Sequence, residues 1–455
     1  MFKAENFKRK KACVLGAGKS GREAAKLLAR HGFSVLISDE NKISRPQDLP
    51  SGIELEAGGH TSRVFKCGFI IKSPGIFPQH PILKEARKRK IPIFSELEVA
   101  LSFMPKDVCV LAVSGTNGKT TTTALLGEIL KEHCKQHISG RNAFVAGNIG
   151  SPVSAIVEKI RSKDFLVLEV SSYQLEDSTF FRPKVACLLN ITPDHLDHHG
   201  GMEKYIAAKA RLFKNQRSND FAVLNGADTY CADLLEQLRG SYTAFSAKPN
   251  HILKTDVFFD GDEIIFSVGY HLRAPKLIGI HNVENAMAAA LCALAVGVST
   301  TTIQKVFDGF APIEHRIELV AQHGGITYIN DSKATNLDST LIALESFEKR
   351  SHIWLILGGR DKGASYEVLG PAIDMRCKAV LTIGESMDKI EHELKAKVPL
   401  VRCNTLEKAV EYAAKHAKKG DVVLLSPACS SFDQFKDYEQ RGRVFKKIVH
   451  QVCSR

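Results

Sequence analysis

The apolar run Val108-Cys109-Val110-Leu111-Ala112-Val113 leads into Ser114-Gly115-Thr116-Asn117-Gly118-Lys119-Thr120-Thr121, after which helical spacing predicts a helix over Thr121–Leu130. A β-rich run, a glycine-bearing turn and a helix make a phosphate-binding unit. Backbone N–H groups of such a loop cradle phosphates, Lys119 would reach the terminal ones, and the Thr120 hydroxyl would ligate Mg²⁺. The stretch departs from the full GxxxxGK[ST] pattern, because Val113 stands where its first glycine belongs. Gly-Lys-Thr between a strand and a helix rarely arises from packing alone.

Strand-like runs alternate with helical periodicity on both sides of this stretch, which predicts parallel sheets flanked by helices. Three α/β blocks separate. The first, residues 1–104, opens with strand Ala12–Leu15, a glycine turn, helix Arg22–Arg30 stopped by Gly32, and strand Ser34–Ser38. The second, 105–311, adds strands Phe165–Val170 and Val185–Ile191, a hairpin around Asp260-Gly261 and the Ala-rich helix Val283–Val296. The third, 312–455, repeats the alternation with strands at Thr327–Ile329, His352–Leu357, Ala379–Ile383 and Val422–Leu425. A length of 455 residues agrees with several domains of about 100–200 residues each. The predicted architecture is a Rossmann-like N-terminal domain, a P-loop ATPase-like central domain and a Rossmann-like C-terminal domain.

Composition narrows the function classes. A hydrophobic fraction of 44% with 25% charged residues is that of an ordinary globular chain. Lys plus Arg is 62 against 50 Asp plus Glu, a formal charge of +12 that suggests anionic partners. The longest apolar stretch, Ala286–Val298, is shorter than the roughly 20 residues of a spanning helix, so no membrane insertion is expected. The basic N-terminus (Lys3, Lys8, Arg9, Lys10, Lys11) is followed by an apolar run broken at Lys19, too early for a secretory core. Eleven cysteines without a CxxC suit buried free thiols, and a cytoplasmic location is expected.

Other motifs follow strands. Gly16-Ala17-Gly18-Lys19-Ser20-Gly21, with Asp39 closing the next strand, matches a nucleotide-binding turn: glycines admit a pyrophosphate to the helix N-terminus and the acid takes a ribose hydroxyl. A tight turn that binds nothing has the same pattern. Glu169 ends a strand where a metal-holding acid would sit, or else caps the next turn. Asn190-Ile191-Thr192-Pro193-Asp194-His195-Leu196-Asp197-His198-His199 is histidine-rich; the interleaved acids and the lack of Cys fit Mg²⁺ and phosphate better than zinc, and a solvated loop is the alternative. On the bare sequence Lys209 is a solvated helix lysine.

Taken together, Gly-Thr-Asn-Gly-Lys-Thr-Thr (115–121), Gly147-Asn148-Ile149-Gly150, Leu-Glu-Val-Ser-Ser-Tyr-Gln-Leu-Glu (168–176), Asn-Ile-Thr-Pro-Asp-His-Leu-Asp (190–197), Ala-Ala-Lys (207–209), His281-Asn282-Val283-Glu284-Asn285, Glu314-His315-Arg316, Asn-Asp-Ser-Lys-Ala-Thr-Asn (330–336) and Leu-Ser-Pro-Ala-Cys-Ser-Ser-Phe-Asp-Gln-Phe (425–435) resemble the Mur ligases across essentially the whole chain. With Ser73-Pro74-Gly75, the last two series resemble the branch of that family that adds D-glutamate to UDP-N-acetylmuramoyl-L-alanine. The resemblance implies an ATP-dependent ligase of peptidoglycan precursor synthesis. It changes the expected ligand of the first block from a dinucleotide to a uridine nucleotide, held by Lys19, Ser20, Asp39, Ser73, Pro74 and Gly75, with Asn148 and Ser171 from the second block. It implies ATP binding by Gly115, Thr116, Asn117, Gly118, Lys119, Thr120, Thr121, Asn282, Arg316 and Asp331. Two Mg²⁺ sites are implied, one at Thr120 and Glu169 and one at His195 and Lys209. An ammonium cannot ligate a cation, and the family carbamylates this lysine, which makes Lys209 an anionic oxygen ligand. Lys119, Glu169, His195 and Lys209 are the implied catalytic set. D-Glutamate is expected at Lys333, Thr335, Lys362, Ser431, Phe432 and Tyr438; Tyr438 and the pair Arg360-Asp361 differ from some relatives. A monomer without nucleic acid is expected.

Three other readings compete. A sister ligase or a folylpolyglutamate synthase shares the phosphate loop and the His-Asn-x-x-Asn element. An NAD-dependent oxidoreductase explains Gly16–Gly21 but leaves Lys119 and Glu169 idle. A nucleic-acid-binding ATPase explains the charge, yet the chain has one Trp, 7% aromatics and no RNA-binding pattern.

Overall fold

The computed structural model describes residues 2–7, 10–148, 150–248, 252–349, 352–394 and 398–454. Ile149 of the Gly147–Gly150 motif, and Lys8 and Arg9 of the basic N-terminus, lie outside the described residues. The chain forms two compact units, one of residues 1–275 with 284–309 and one of 276–283 with 310–455.

The first unit holds two sheets. In the N-terminal sheet β1 (Ala12–Leu15), β2 (Val35–Asp39), β3 (Glu54–Ala57), β4 (Phe69–Lys72) and β5 (Ile93–Ser95) are all parallel, in the order β3-β2-β1-β4-β5. β1 and β4 are buried along their whole length, as strands covered on both faces must be. The helix after β1 spans Lys19–Arg30 and so starts three residues before the expected Arg22, because its first turn is polar and carries no apolar periodicity.

The central sheet has nine strands: β6 (Cys109–Ser114), β7 (Ala143–Gly147), β8 (Phe165–Glu169), β9 (Val185–Leu188), β10 (Phe221–Asn225), β11 (Ser241–Ser246), β12 (Val257–Phe259), β13 (Glu263–Phe266) and β14 (His271–Arg273). Their order is β14-β13-β12-β11-β10-β9-β6-β8-β7, parallel from β7 to β12 and antiparallel beyond. The hairpin expected around Asp260-Gly261 is β12–β13; β14 extends it with three residues too few to show a period. β6 therefore lies between β8 and β9, with Val113 beside Glu169 and Ser114 beside Leu188. The helix after the phosphate loop covers Lys119–His137, longer at both ends than predicted. Its apolar face ends near Leu130, while the polar turns to His137 continue the backbone ladder.

The second unit contains β15 (Glu318–His323), β16 (Ile326–Asn330), β17 (Ile353–Gly358), β18 (Cys377–Ile383), β19 (Leu400–Asn404) and β20 (Val422–Leu425), ordered β15-β16-β20-β17-β18-β19. All pairs are parallel except β15–β16. That hairpin turns on Gly324 and Gly325, both with positive φ (58° and 77°), the conformation a two-residue turn of the primed type demands. The expectation of three α/β domains with mainly parallel sheets agrees with these three sheets. The eleven cysteines are free, and most are buried. Among the described residues no helix is long and apolar enough to cross a membrane.

Candidate active site

In open α/β sheets ligands bind beyond the carboxyl ends of the strands, where the strand order switches direction. The central sheet switches at β6, and three loops meet there. The loop after β6 is residues 115–118, β8 ends in Glu169, and β9 is followed by Asn190. Gly118 has φ +83° at the helix N-cap, and a Cβ there would run into the Asn285 side chain, so only glycine serves. Thr122 Oγ1 donates to Asn285 Oδ1 at 3.2 Å, tying the start of the helix after this loop to the helix segment at Asn285.

The Asn190 side chain organises the loop from below. Its Oδ1 accepts from the backbone N–H of Thr116 (3.1 Å) and Asn117 (2.8 Å), and its Nδ2 donates to the Asn117 carbonyl at 3.2 Å. The Thr116 hydroxyl lies 2.9 Å from Tyr205 Oη and accepts from Thr192 N. Sequence reasoning missed the roles of Asn190, Asn285 and Tyr205, since each depends on an approach between distant segments. Their one signal is position: Asn190 closely follows a strand.

Glu169 is buried, and its two oxygens accept from Thr120 Oγ1 at 2.8 Å and Asn148 Nδ2 at 2.9 Å. The alternative that Glu169 caps the next turn does not hold. Ser171 is the cap of helix 172–176, in a reciprocal capping box with Gln174. A carboxylate beside a threonine hydroxyl is an oxygen donor set suited to a hard divalent cation.

Lys119 Nζ donates to the carbonyls of Gly115 (2.8 Å) and Thr116 (2.6 Å). Lys209 reaches the same loop from helix 202–210: its Nζ donates to the Gly115 carbonyl at 2.7 Å and lies 4.7 Å from the Tyr205 ring centroid. Lys209 is 1% exposed. Burial, aided by the charge of Lys119 and opposed by Asp194, pushes its ammonium pKa well below that of an ordinary lysine. The solvated helix lysine expected from the bare sequence is thus corrected to a buried amine. His195 sits in the loop after β9 with φ +54°, a conformation uncommon for a non-glycine residue, and its Nε2 lies 3.5 Å from Asp194.

The N-terminal sheet builds a similar edge. Gly16 has φ +91° and faces Ser73, while a Cβ on Gly21 would strike the Gly16 carbonyl, so these glycines permit the tight turn. Asp39 Oδ2 accepts from Ala17 N at 2.7 Å. Lys19 and Ser20 open the following helix, and Lys19 Nζ donates to the Gly150 carbonyl at 2.8 Å. The Lys19, Asp39 and Ser73 segments therefore share one end of this sheet.

In the second unit the neighbouring strands β16, β20 and β17 carry the segments 331–336, 426–435 and 359–365 beyond their carboxyl ends. Lys333 Nζ lies 5.3 Å from the Tyr438 ring centroid. Ser431 is buried, whereas Phe432 is 63% exposed and Lys362 is exposed. Buried Arg441, unmarked in the sequence, spans two of these segments. It donates to Ser332 Oγ (3.0 Å), to the Ser332 carbonyl (2.8 Å) and to the Cys429 carbonyl (3.1 Å). Asn282, Arg316 and Asp331 belong to this unit and the loop 115–121 to the first, so the expected nucleotide set is divided between the two units.

Asp331 is buried, and its carboxylate accepts from Ser426 Oγ at 2.8 Å and from Ile317 N at 3.3 Å. Burial raises its pKa to about 7 against the pull of Ser426 and Arg316. The folded state then binds a proton that the unfolded state has lost between about pH 4 and 7, so this group makes stability fall as pH rises through that window. Urea denaturation at a series of pH values should show Asp331→Asn losing that slope; an unchanged slope would contradict the assignment.

Comparison with known proteins supplies the class. Residues 10–95 match the MurD-like N-terminal domain of Mur ligases, 113–293 the Mur ligase middle domain and 315–429 the Mur ligase glutamate ligase domain. The chain belongs to the Mur ligase family and is an ATP-dependent ligase. A UDP-N-acetylmuramoylalanine--D-glutamate ligase of Elusimicrobium minutum is 53% identical over 99% of this chain and 100% of its own. One from Koribacter versatilis is 44% identical over 98% of each chain. Among solved structures, a pseudomurein peptide ligase type C from Methanothermus fervidus has TM-score 0.61 at 20% identity, covering 98% of this chain and 100% of its own. The UDP-N-acetylmuramate-alanine ligase MurC of Thermotoga maritima has TM-score 0.60 at 20% identity, covering 97% and 100%. These two likenesses concern the fold.

Proposed function

We propose that this chain joins D-glutamate to UDP-N-acetylmuramoyl-L-alanine in cytoplasmic peptidoglycan precursor synthesis, as a monomer. Residues 1–104 hold the uridine nucleotide, 105–311 ATP and 312–455 the amino acid. The observation that carries the reading is 53% identity, over 99% of this chain and 100% of the relative, to a ligase named for this reaction. The phosphate loop supports it with Lys119, Thr120, Glu169 and Lys209 gathered on one edge.

A carboxylate is a poor acyl donor because oxide would have to leave. Its oxygen therefore first attacks the γ-phosphorus of ATP; the bond to the β–γ bridging oxygen breaks and ADP departs. Lys119 neutralises charge building on the transferred group, and the loop N–H groups orient it. The amine nitrogen of D-glutamate then attacks the acyl carbon, loses a proton, and phosphate leaves. Lys333, Thr335, Lys362, Ser431, Phe432 and Tyr438 hold the amino acid, with Lys362 and the Ser431 hydroxyl addressing its carboxylates. Bound Mg²⁺ supplies charge neutralisation to the phosphates. Thr120 and Glu169 would hold one ion, and His195 and carbamylated Lys209 a second. The depressed pKa of Lys209 favours the carbamate, because only a neutral amine adds CO₂. Asn282, Arg316 and Asp331 complete the nucleotide site, and Lys19, Ser20, Asp39, Ser73, Pro74, Gly75, Asn148 and Ser171 hold the uridine substrate.

Phosphate release should require UDP-N-acetylmuramoyl-L-alanine and D-glutamate together and should be absent with either alone or with L-glutamate. Release that ignores D-glutamate but rises with DNA would overturn the reading.

A further inference from the structure

Apart from the phosphate loop, the first unit buries a second constellation. Glu176, at the end of helix 172–176, stands against His198 and His199 from the turn after β9. His198 Nε2 lies 3.2 Å from Glu176 Oε2 and His199 Nδ1 3.3 Å from Oε1, and one ligand atom from each residue lies within 4.8 Å of the others. Both rings are buried, with 3% and 1% exposure.

We propose that Glu176, His198 and His199 form a binding site for a transition metal ion of the Zn²⁺ class. Ligand atoms bonded at about 2.0 Å to a tetrahedral ion stand about 3.3 Å apart; each imidazole meets its own oxygen of the carboxylate at about that spacing, and one atom from each of the three residues falls within 4.8 Å of the others. Hydrogen bonds alone would give similar distances, and His199 is the residue whose geometry favours an ion. Its Nδ1 is buried without a hydrogen-bond partner among the described residues, although a carboxylate oxygen lies beside it. Its Nε2 lies 3.0 Å from Ser172 Oγ, an outer partner that fixes the orientation of the ring; when Nε2 donates to that hydroxyl, Nδ1 carries the lone pair. In that tautomer a lone pair faces a carboxylate, an arrangement that a cation between them satisfies.

The local charge agrees. Lys72 is buried and paired with Asp177, while standing 3.7 Å from Glu176 Oε2. Lys72 and Asp177 neutralise each other, so the charge of Glu176 remains for the imidazole side. Two imidazoles and one carboxylate suit Zn²⁺ and its neighbours, not Mg²⁺, and leave a fourth position for water or an anion. The fit of the 190–199 run to Mg²⁺ thus concerns His195 and the acids; the last two histidines serve a different ion.

The test uses the full chain, stripped with a chelator and free of ATP. Calorimetric titration with ZnCl₂ alone should show one saturable site of about micromolar affinity or better, unaffected by millimolar Mg²⁺. Co²⁺ should give the visible bands of a tetrahedral site. His199→Gln and Glu176→Gln should weaken binding about 100-fold and Ser172→Ala about tenfold, with folding checked by circular dichroism; Ser172→Ala decides the matter if the first two do not fold. His195→Ala should leave the site intact. Absence of saturable Zn²⁺ binding below about 1 mM, or binding that His195→Ala removes while the Ser172 and His199 variants keep it, would overturn the proposal.

Discussion

Lys209→Ala is expected to leave almost no ligase activity, a fall of about a thousandfold or more in kcat, with partial recovery when short carboxylates such as acetate or propionate are added. Lys209 is buried beside the Gly115 carbonyl, with the ammonium of Lys119 among the charges that disfavour its own. Its protonated form is therefore disfavoured relative to that of a surface lysine, the direction that addition of CO₂ to the neutral amine requires. The carbamate would reverse the sign at this point of the loop, supplying an oxygen anion opposite Lys119. Alanine removes the anion and leaves space that a small carboxylate can occupy. The same account predicts that activity of the unsubstituted enzyme falls when bicarbonate and CO₂ are excluded. Carbon-13 NMR with labelled bicarbonate reads the adduct directly. Undiminished turnover of Lys209→Ala without additives would refute the role.

Lys119→Ala should lower kcat by about a thousandfold while the KM for D-glutamate changes little. Lys119 opens the helix at the end of the phosphate loop and donates to two loop carbonyls, 2.8 and 2.6 Å away. Those contacts show that its ammonium reaches back over the loop that the nucleotide is proposed to occupy. Because the charge it meets grows during phosphoryl transfer, the loss falls on the transition state more than on binding of the amino acid. Lys119→Arg should not restore the rate, since a planar fork does not replace a compact ammonium in a close-fitting loop. Steady-state kinetics with each substrate varied in turn measure the split; a large rise in the KM for D-glutamate with kcat intact would assign Lys119 elsewhere.

Local patterns carry much of this site. Strand, glycine turn and helix are encoded by neighbours in sequence, which is why Gly115–Thr121 and Gly16–Gly21 are legible with their strands. Boundaries slip where periodicity is weak, at the polar first turn of helix 19–30 and the polar last turns of helix 119–137. Of the antiparallel pair β15–β16 only β16 is legible, as the run Thr327–Ile329; β15 escapes because it does not alternate cleanly and the turn is only Gly324-Gly325. Glu169 illustrates the divide within one residue. Its position after an apolar strand is visible, but the turn-cap reading is set aside only once Ser171 is seen to take the cap and Glu169 to accept from Thr120 Oγ1 at 2.8 Å.

By itself the sequence determined the family, the three α/β domains and the residue types at each strand end, because short-range periodicity and motif order survive without coordinates. Tertiary structure alone decided which strand ends are neighbours: β6 between β8 and β9, and β20 between β16 and β17. It also decided the electrostatics. Lys209 is an ordinary lysine in the chain and becomes a buried amine with a lowered pKa only when helix 202–210 carries it under the phosphate loop, away from water. Glu176 is likewise remote from the adjacent His198 and His199 until folding sets it against their buried rings. Desolvation and Coulomb energy depend on distances through space, and those are fixed by packing between segments far apart in the chain.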